Sequence, residues 1–253
     1  MAPSSLRRPA LTTFCLLIAL LAWDASDFDM RVAAWSGGPQ GFALTEHWLL
    51  TNVLHDGGRI ASWLLAVLLT LAVWWPFGPL RRLEARERVQ LIVGTLLAVL
   101  AISAFKALSP ISCPWDLSAF GGVARHVSHW SWQPDGGGGR CFPAGHASSG
   151  FAFVGGYFVW RHHSKAIART WLVIALFAGF VFGVAQQIRG AHFMSHTLWT
   201  AWLCWSLALL IEAVQTARFK RAGELQPPGP PTPPPPAFAR SPAPANRVTP
   251  PRG

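Results

Sequence analysis

The chain has 253 residues, of which 51% are hydrophobic and 13% charged, with a formal net charge of +10. That balance argues against an ordinary soluble domain and for a membrane protein. The basic excess does not indicate a nucleic-acid partner, because the Lys and Arg flank apolar runs and no basic, aromatic-rich soluble domain is present.

Six apolar runs approach the ~20 residues that a helix needs to cross a bilayer. They lie at roughly 10–24, 59–79, 89–106, 146–161, 168–187 and 193–214. The first, TTFCLLIALLAW, follows LRRP and precedes the acidic DASDFD. Without a clean small-x-small cleavage site it reads as a retained helix rather than a signal peptide. The amphipathic segment from Leu44, LTEHWLLTNVLHDGGR, is expected to lie along the outer interface, anchored by Trp48. Its His55 and Asp56 read as surface polar residues with no catalytic role.

The third run ends in FKALSPISCPWDLSAFGG, where Lys106 alone would be an ordinary snorkelling anchor. GGGGRCFPAGHASSG then leads into the fourth run, with His146 beside the start of a helix. Free N–H groups at such a start attract anions, and glycines let a ligand come close to the backbone. Before the last run, QQIRGAHFMSHTLW supplies Arg189, His192 and His196, the two histidines sharing one helical face. After Arg221 the composition turns to proline, which predicts a disordered, partly polyproline cytoplasmic tail over 222–253 behind a transmembrane domain of 1–221.

Alternating the six spans leaves only Arg31, Arg59, Lys106, Arg125, Arg140 and Arg189 of the 21 Lys and Arg outside, so both termini are expected in the cytoplasm. Seven of the nine histidines then share the outer face with Lys106, Arg140 and Arg189. Lysine and arginine hold phosphate oxygens, while histidine serves as nucleophile or general acid.

In these segments the sequence resembles the type 2 phosphatidic acid phosphatase, or lipid phosphate phosphatase, superfamily, whose pattern is K-x6-R-P, P-S-G-H and S-R-x5-H-x3-D. Lys106 is followed after six residues by Cys113-Pro114, the second element reads Pro143-Ala144-Gly145-His146, and the third contains Gly190-Ala191-His192. The resemblance implies an all-α, six-helix transmembrane bundle with its active site at the extracytoplasmic end. It implies that His192 attacks phosphorus, that His146 protonates the leaving oxygen, and that Lys106 and the backbone around Gly145 hold the phosphate. No metal or other cofactor is expected, since cationic side chains can surround the transferred group.

Departures from the pattern include Cys113 and Gln186, which stand where it has arginines, Ala144 where it has serine, and His196 where it has aspartate. Arg140 and Arg189 are expected to return the missing guanidinium groups. His196 is expected to accept a hydrogen bond from His192, and Asp116 to supply the lost carboxylate charge. Cys113 and Cys141, both in the outer loop, are expected to pair in an oxidising periplasm and to tether the Lys106 segment to the His146 segment.

The reading is thus a hydrolase of a phospholipid phosphate, polyprenyl pyrophosphate or lipid A phosphate at the outer face of a bacterial inner membrane. Its partners would be that substrate and the membrane lipids, and no oligomeric state is assigned. Three alternatives stay open: a phosphotransferase of the same fold, an inactive head-group binder, and a metal-binding protein using the H-x3-H pair.

Overall fold

The structure is a computed structural model that describes residues 4–224. The Pro-rich segment expected to be disordered lies, from residue 225 on, outside the described residues. Helix α1 (Ser4–Asp24) leads to a short α2 (Phe28–Ala33) and a two-residue hairpin, β1 (Gly37–Gly38) against β2 (Gly41–Phe42). A π-helix (Leu49–Gly57) runs into α3 (Gly58–Leu71), and α4 (Ala85–Leu108) ends at the first motif segment. The second motif opens α5 (Ser148–Phe151), which continues through a 3-10 turn into α6 (Gly155–Trp160), followed by α7 (Lys165–Ile188) and α8 (Met194–Glu224).

Among the described residues, four helices are long and apolar enough to cross a membrane: Leu6–Asp24 of α1, all of α4 and α7, and Met194–Phe219 of α8. They expose large apolar side chains such as Phe14, Leu100, Phe177 and Leu210, which suits lipid contact. The other two expected spans differ from the sequence reading. The run at 59–79 stops at Leu71, ahead of Trp74, Trp75 and Pro76, and proline disfavours helix in the residue before it. In compensation the helix starts early, because the segment expected to lie along the interface is wound as a π-helix directly onto α3.

Gly57 and Gly58, which look like a break, are both helical, with φ near −61°. A Cβ at Gly58 would stand 2.5 Å from Phe182 of α7, so glycine is there to admit that ring. The run at 146–161 becomes α5, the 3-10 turn and α6, together too short to be counted among those four.

This short helix is the centre of the molecule. Phe151, Phe158 and Trp160 are fully buried, and Phe151 and Trp160 share a core cluster with Leu91 and Ile102 of α4. It meets α7 backbone to backbone: a Cβ on Gly150 would lie 2.1 Å from the Gly179 nitrogen, and one on Gly156 would meet the Trp171 indole. Small residues at such crossings let helices approach where there is no aqueous driving force to hold them. Trp171 Nε1 donates to the Phe153 carbonyl at 2.7 Å, and α1 docks on α8 where Trp202 and Trp205 donate to Thr13.

Candidate active site

The ends of α4, α5 and α8 meet at one pole of the bundle, under the loop 109–147. Cys113 and Cys141 are joined by a disulfide across this loop, with Cα atoms 5.1 Å apart. Backbone bonds run beside it, Arg140 N–H to the Ser109 carbonyl and Cys141 N–H to that of Ile111. Buried Asp135 holds the glycine run, accepting from Ser112 N (2.6 Å), Ser112 Oγ (2.8 Å) and Gly137 N (3.0 Å). Burial opposes its ionisation, but the Ser112 and Gly137 donors outweigh it and hold the carboxyl below its ordinary range.

The Pro143–His146 turn is pinned onto α8, where Ala144 N–H donates to the His196 carbonyl and Thr200 Oγ1 to that of Ala144. Gly145 faces Lys106, and a Cβ there would touch Lys106 Cδ at 3.4 Å, so the lysine stem crosses this turn. His146 keeps its Nε2 buried with no partner. Burial first, then the charges of His55, Lys106, Arg59 and Arg189, press its imidazole down to about 4, so the ring is neutral at pH 7. An anion entering between Lys106 and His146 would reverse that balance.

His192 is 3% exposed. Desolvation, with the charges of Lys106, His196 and His146, holds its pKa well below the ordinary histidine value, as a nucleophilic imidazole requires. Its Nδ1 lies 3.5 Å from Cys141 Sγ. A proton held there on Nδ1 leaves the Nε2 lone pair free to attack.

His196, also buried, meets His192 edge-on with ring centroids 5.7 Å apart, and its Nδ1 has no partner. The edge-on placement of the rings leaves no hydrogen bond between them among the described residues, and His192 Nδ1 instead faces Cys141 Sγ. Asp29 of α2 supports the start of α8, accepting from Ser195 N at 2.9 Å and from Ser195 Oγ. A carboxylate there satisfies a free N–H and complements the helix dipole.

A model of the PAP2 superfamily matches residues 88–220, just over half of the chain. The chain belongs to the PAP2 superfamily. No curated protein and no solved structure matches it. Membership carries phosphatase-type hydrolysis of lipid phosphates as the general activity, and the four apolar helices agree with a membrane protein.

The PAP2 match spans Lys106, Gly145, His146, His192 and His196, and the structure brings these five together. Arg189 joins them: its Nη1 donates to Gln186 Oε1 at 3.2 Å and its Nε to the Thr45 carbonyl at 2.8 Å. Its guanidinium thus lies against the side chain of Gln186, the residue that stands where the family pattern has an arginine. Arg140 differs from expectation, being exposed and in the left-handed region (φ 58°), a consequence of the glycine run that turns the chain outward before Cys141.

Asp116 also differs, because its carboxylate accepts from Cys113 N at 3.2 Å and closes the 3-10 turn Pro114–Asp116. The carboxylate linked to His196 through His129 is instead Asp24, at the end of α1. It accepts from His129 Nε2 (3.2 Å), Trp130 Nε1 (3.0 Å) and Trp199 Nε1 (2.9 Å), and His129 stands edge-on to His196.

His55, given no role from sequence, stacks on His146 with ring centroids 3.6 Å apart. Arg59 stands among the charges felt by His146. The signal for both is the i, i+4 spacing of His55 and Arg59, which places the two on one helical face once the segment is known to be helical.

Proposed function

We propose that the protein is a metal-independent hydrolase of a lipid phosphate monoester or pyrophosphate, working through a phosphohistidine at His192. The observation that carries this reading is the buried, neutral His192 with Nδ1 occupied at Cys141, beside Lys106 and His146. His192 Nε2 attacks phosphorus while the bond to the leaving oxygen breaks, and His146 passes a proton to that oxygen. Lys106, Arg189 and the backbone near Gly145 neutralise the charge on the phosphoryl oxygens, the main work in such a transfer. Water then attacks the phosphohistidine, with neutral His146 as base.

The site fits the outer face of a six-span protein in a bacterial inner membrane, with both termini cytoplasmic. The short α5–α6 unit and the helical run 49–71 serve as the two further crossings, and a lipid tail stays in the bilayer while its head reaches the pole. Purified protein should release phosphate from lipid phosphates, and His192→Ala should lower kcat at least about 10³-fold. Equal release by the variant would end this reading.

A further inference from the structure

We propose that this site takes lipid diphosphates in preference to lipid monophosphates, with Arg59 and His55 holding the phosphate that stays on the lipid. The proposal rests on the phosphohistidine reading above and concerns what lies beyond His146 on the leaving-group side.

The charges around the two histidines give the site a direction. Lys106 acts on both His192 and His146, whereas His55 and Arg59 are prominent at His146, and the strongest charges at His192 are Lys106, His196 and His146. His55 stacks on His146 and Asp56 joins Arg59 to His55, so this pair stands next to His146, whereas no ring contact or hydrogen bond joins either to His192 among the described residues. Phosphoryl transfer keeps the attacking and departing oxygen or nitrogen atoms roughly in line through phosphorus. Two basic side chains beyond His146 consequently stand where the leaving group departs.

These two side chains are held in place. Asp56, half exposed, meets His55 Nδ1 at 2.9 Å and Arg59 Nη2 at 3.5 Å. His55 has no second partner for its ring nitrogen among the described residues, and the rest of the Arg59 guanidinium is likewise open. The π-helix sets His55 flat on His146, and Ser62 Oγ, one turn into α3, donates to the Ser149 carbonyl at 2.7 Å. The trio and the His146 turn are thus one assembly, and π-helical turns recur at functional positions.

The chemistry of the leaving group separates the two substrates. A monoester must expel a lipid alkoxide, whose basicity is close to the value of about 15.7 for water. Such a group must take a proton from His146 as it departs. A diphosphate expels a phosphate monoester, whose second pKa is about 6, so it leaves as an anion and needs cations more than a proton. In that reaction the terminal phosphorus bonds to His192 Nε2, the P–O bridge breaks, and its electron pair stays on the lipid monophosphate facing Arg59 and His55. Water then releases inorganic phosphate from His192.

The test compares a prenyl diphosphate with the monophosphate of the same chain, using the full-length protein in detergent. The wild type should favour the diphosphate in kcat/KM by at least about tenfold, the scale of one charge-assisted contact. Arg59→Gln and His55→Gln should each reduce that ratio several-fold. A purely structural role would lower both activities together and leave the ratio as it was. A wild-type ratio near or below one, or an unaltered ratio in both variants, would overturn the proposal. If instead His192→Ala retains full activity on either substrate, the phosphohistidine reading itself falls.

Discussion

At the scale of single residues, His146 is the group whose environment is most informative. The unfolded chain takes up a proton near the ordinary histidine value of about 6.5, whereas folded His146 holds out until about 4. Between those values the unfolded state binds more protons, so stability falls as pH drops through the window and His146 adds no slope above it. His192 is shifted in the same direction and contributes with the same sign. In thermal unfolding followed from pH 7 to pH 4, His146→Gln should flatten this dependence. A slope equal to that of the wild type would show that His146 does not carry it.

The disulfide acts on the same residues, because Cys141 both closes the loop and faces the nucleophile. Its partner is 28 residues away, and closing a loop of that size contributes about 3 to 4 kcal/mol. Cys113→Ser should lower the unfolding temperature and also reduce kcat, since Cys141 would no longer hold His192 in one tautomer. A variant with lowered stability and wild-type kcat would confine the bridge to a structural role.

At the scale of elements, two glycine contacts decide how the helices meet. Gly58 admits Phe182, and Gly150 lies against Gly179, so a methyl group at either place has no room. Gly150→Ala forces backbone from backbone, and overpacking of this kind costs about 1 to 3 kcal/mol or more. Gly58→Ala meets only a ring edge and should cost less, but it should move the π-helix that carries His55. The expected outcome is a larger loss of thermal stability in Gly150→Ala and a larger loss of activity per unit stability in Gly58→Ala. The reverse ranking would contradict the packing described here.

At the scale of the whole molecule, the polarity of the chain gives a topology that is open to labelling. Ser128 lies on the exposed His129 loop at the pole with the site, and Ser164 caps α7 at the opposite end, accepting from Ile167 N. In intact cells a membrane-impermeant maleimide should modify Ser128→Cys, and should reach Ser164→Cys only after permeabilisation. Labelling in the opposite order would invert the proposed orientation.

The sequence by itself determined the membrane class, the helices α1, α4, α7 and α8 to within a few residues apart from the longer C-terminal end of α8, and the three segments holding Lys106, His146 and His192. Apolar runs and motif spacings are local properties, and they survive folding unchanged. Only the tertiary structure decided that Arg140 is exposed, that Asp116 closes its own turn, and that Asp24 holds the His129 ring that meets His196. It alone brought His55 onto His146. The Asp24 and His55 contacts join residues far apart in the chain, the latter through a π-helix that runs directly into α3. Their partners are chosen by packing across helices, as Phe182 shows at Gly58, and no periodicity along one segment records such a choice.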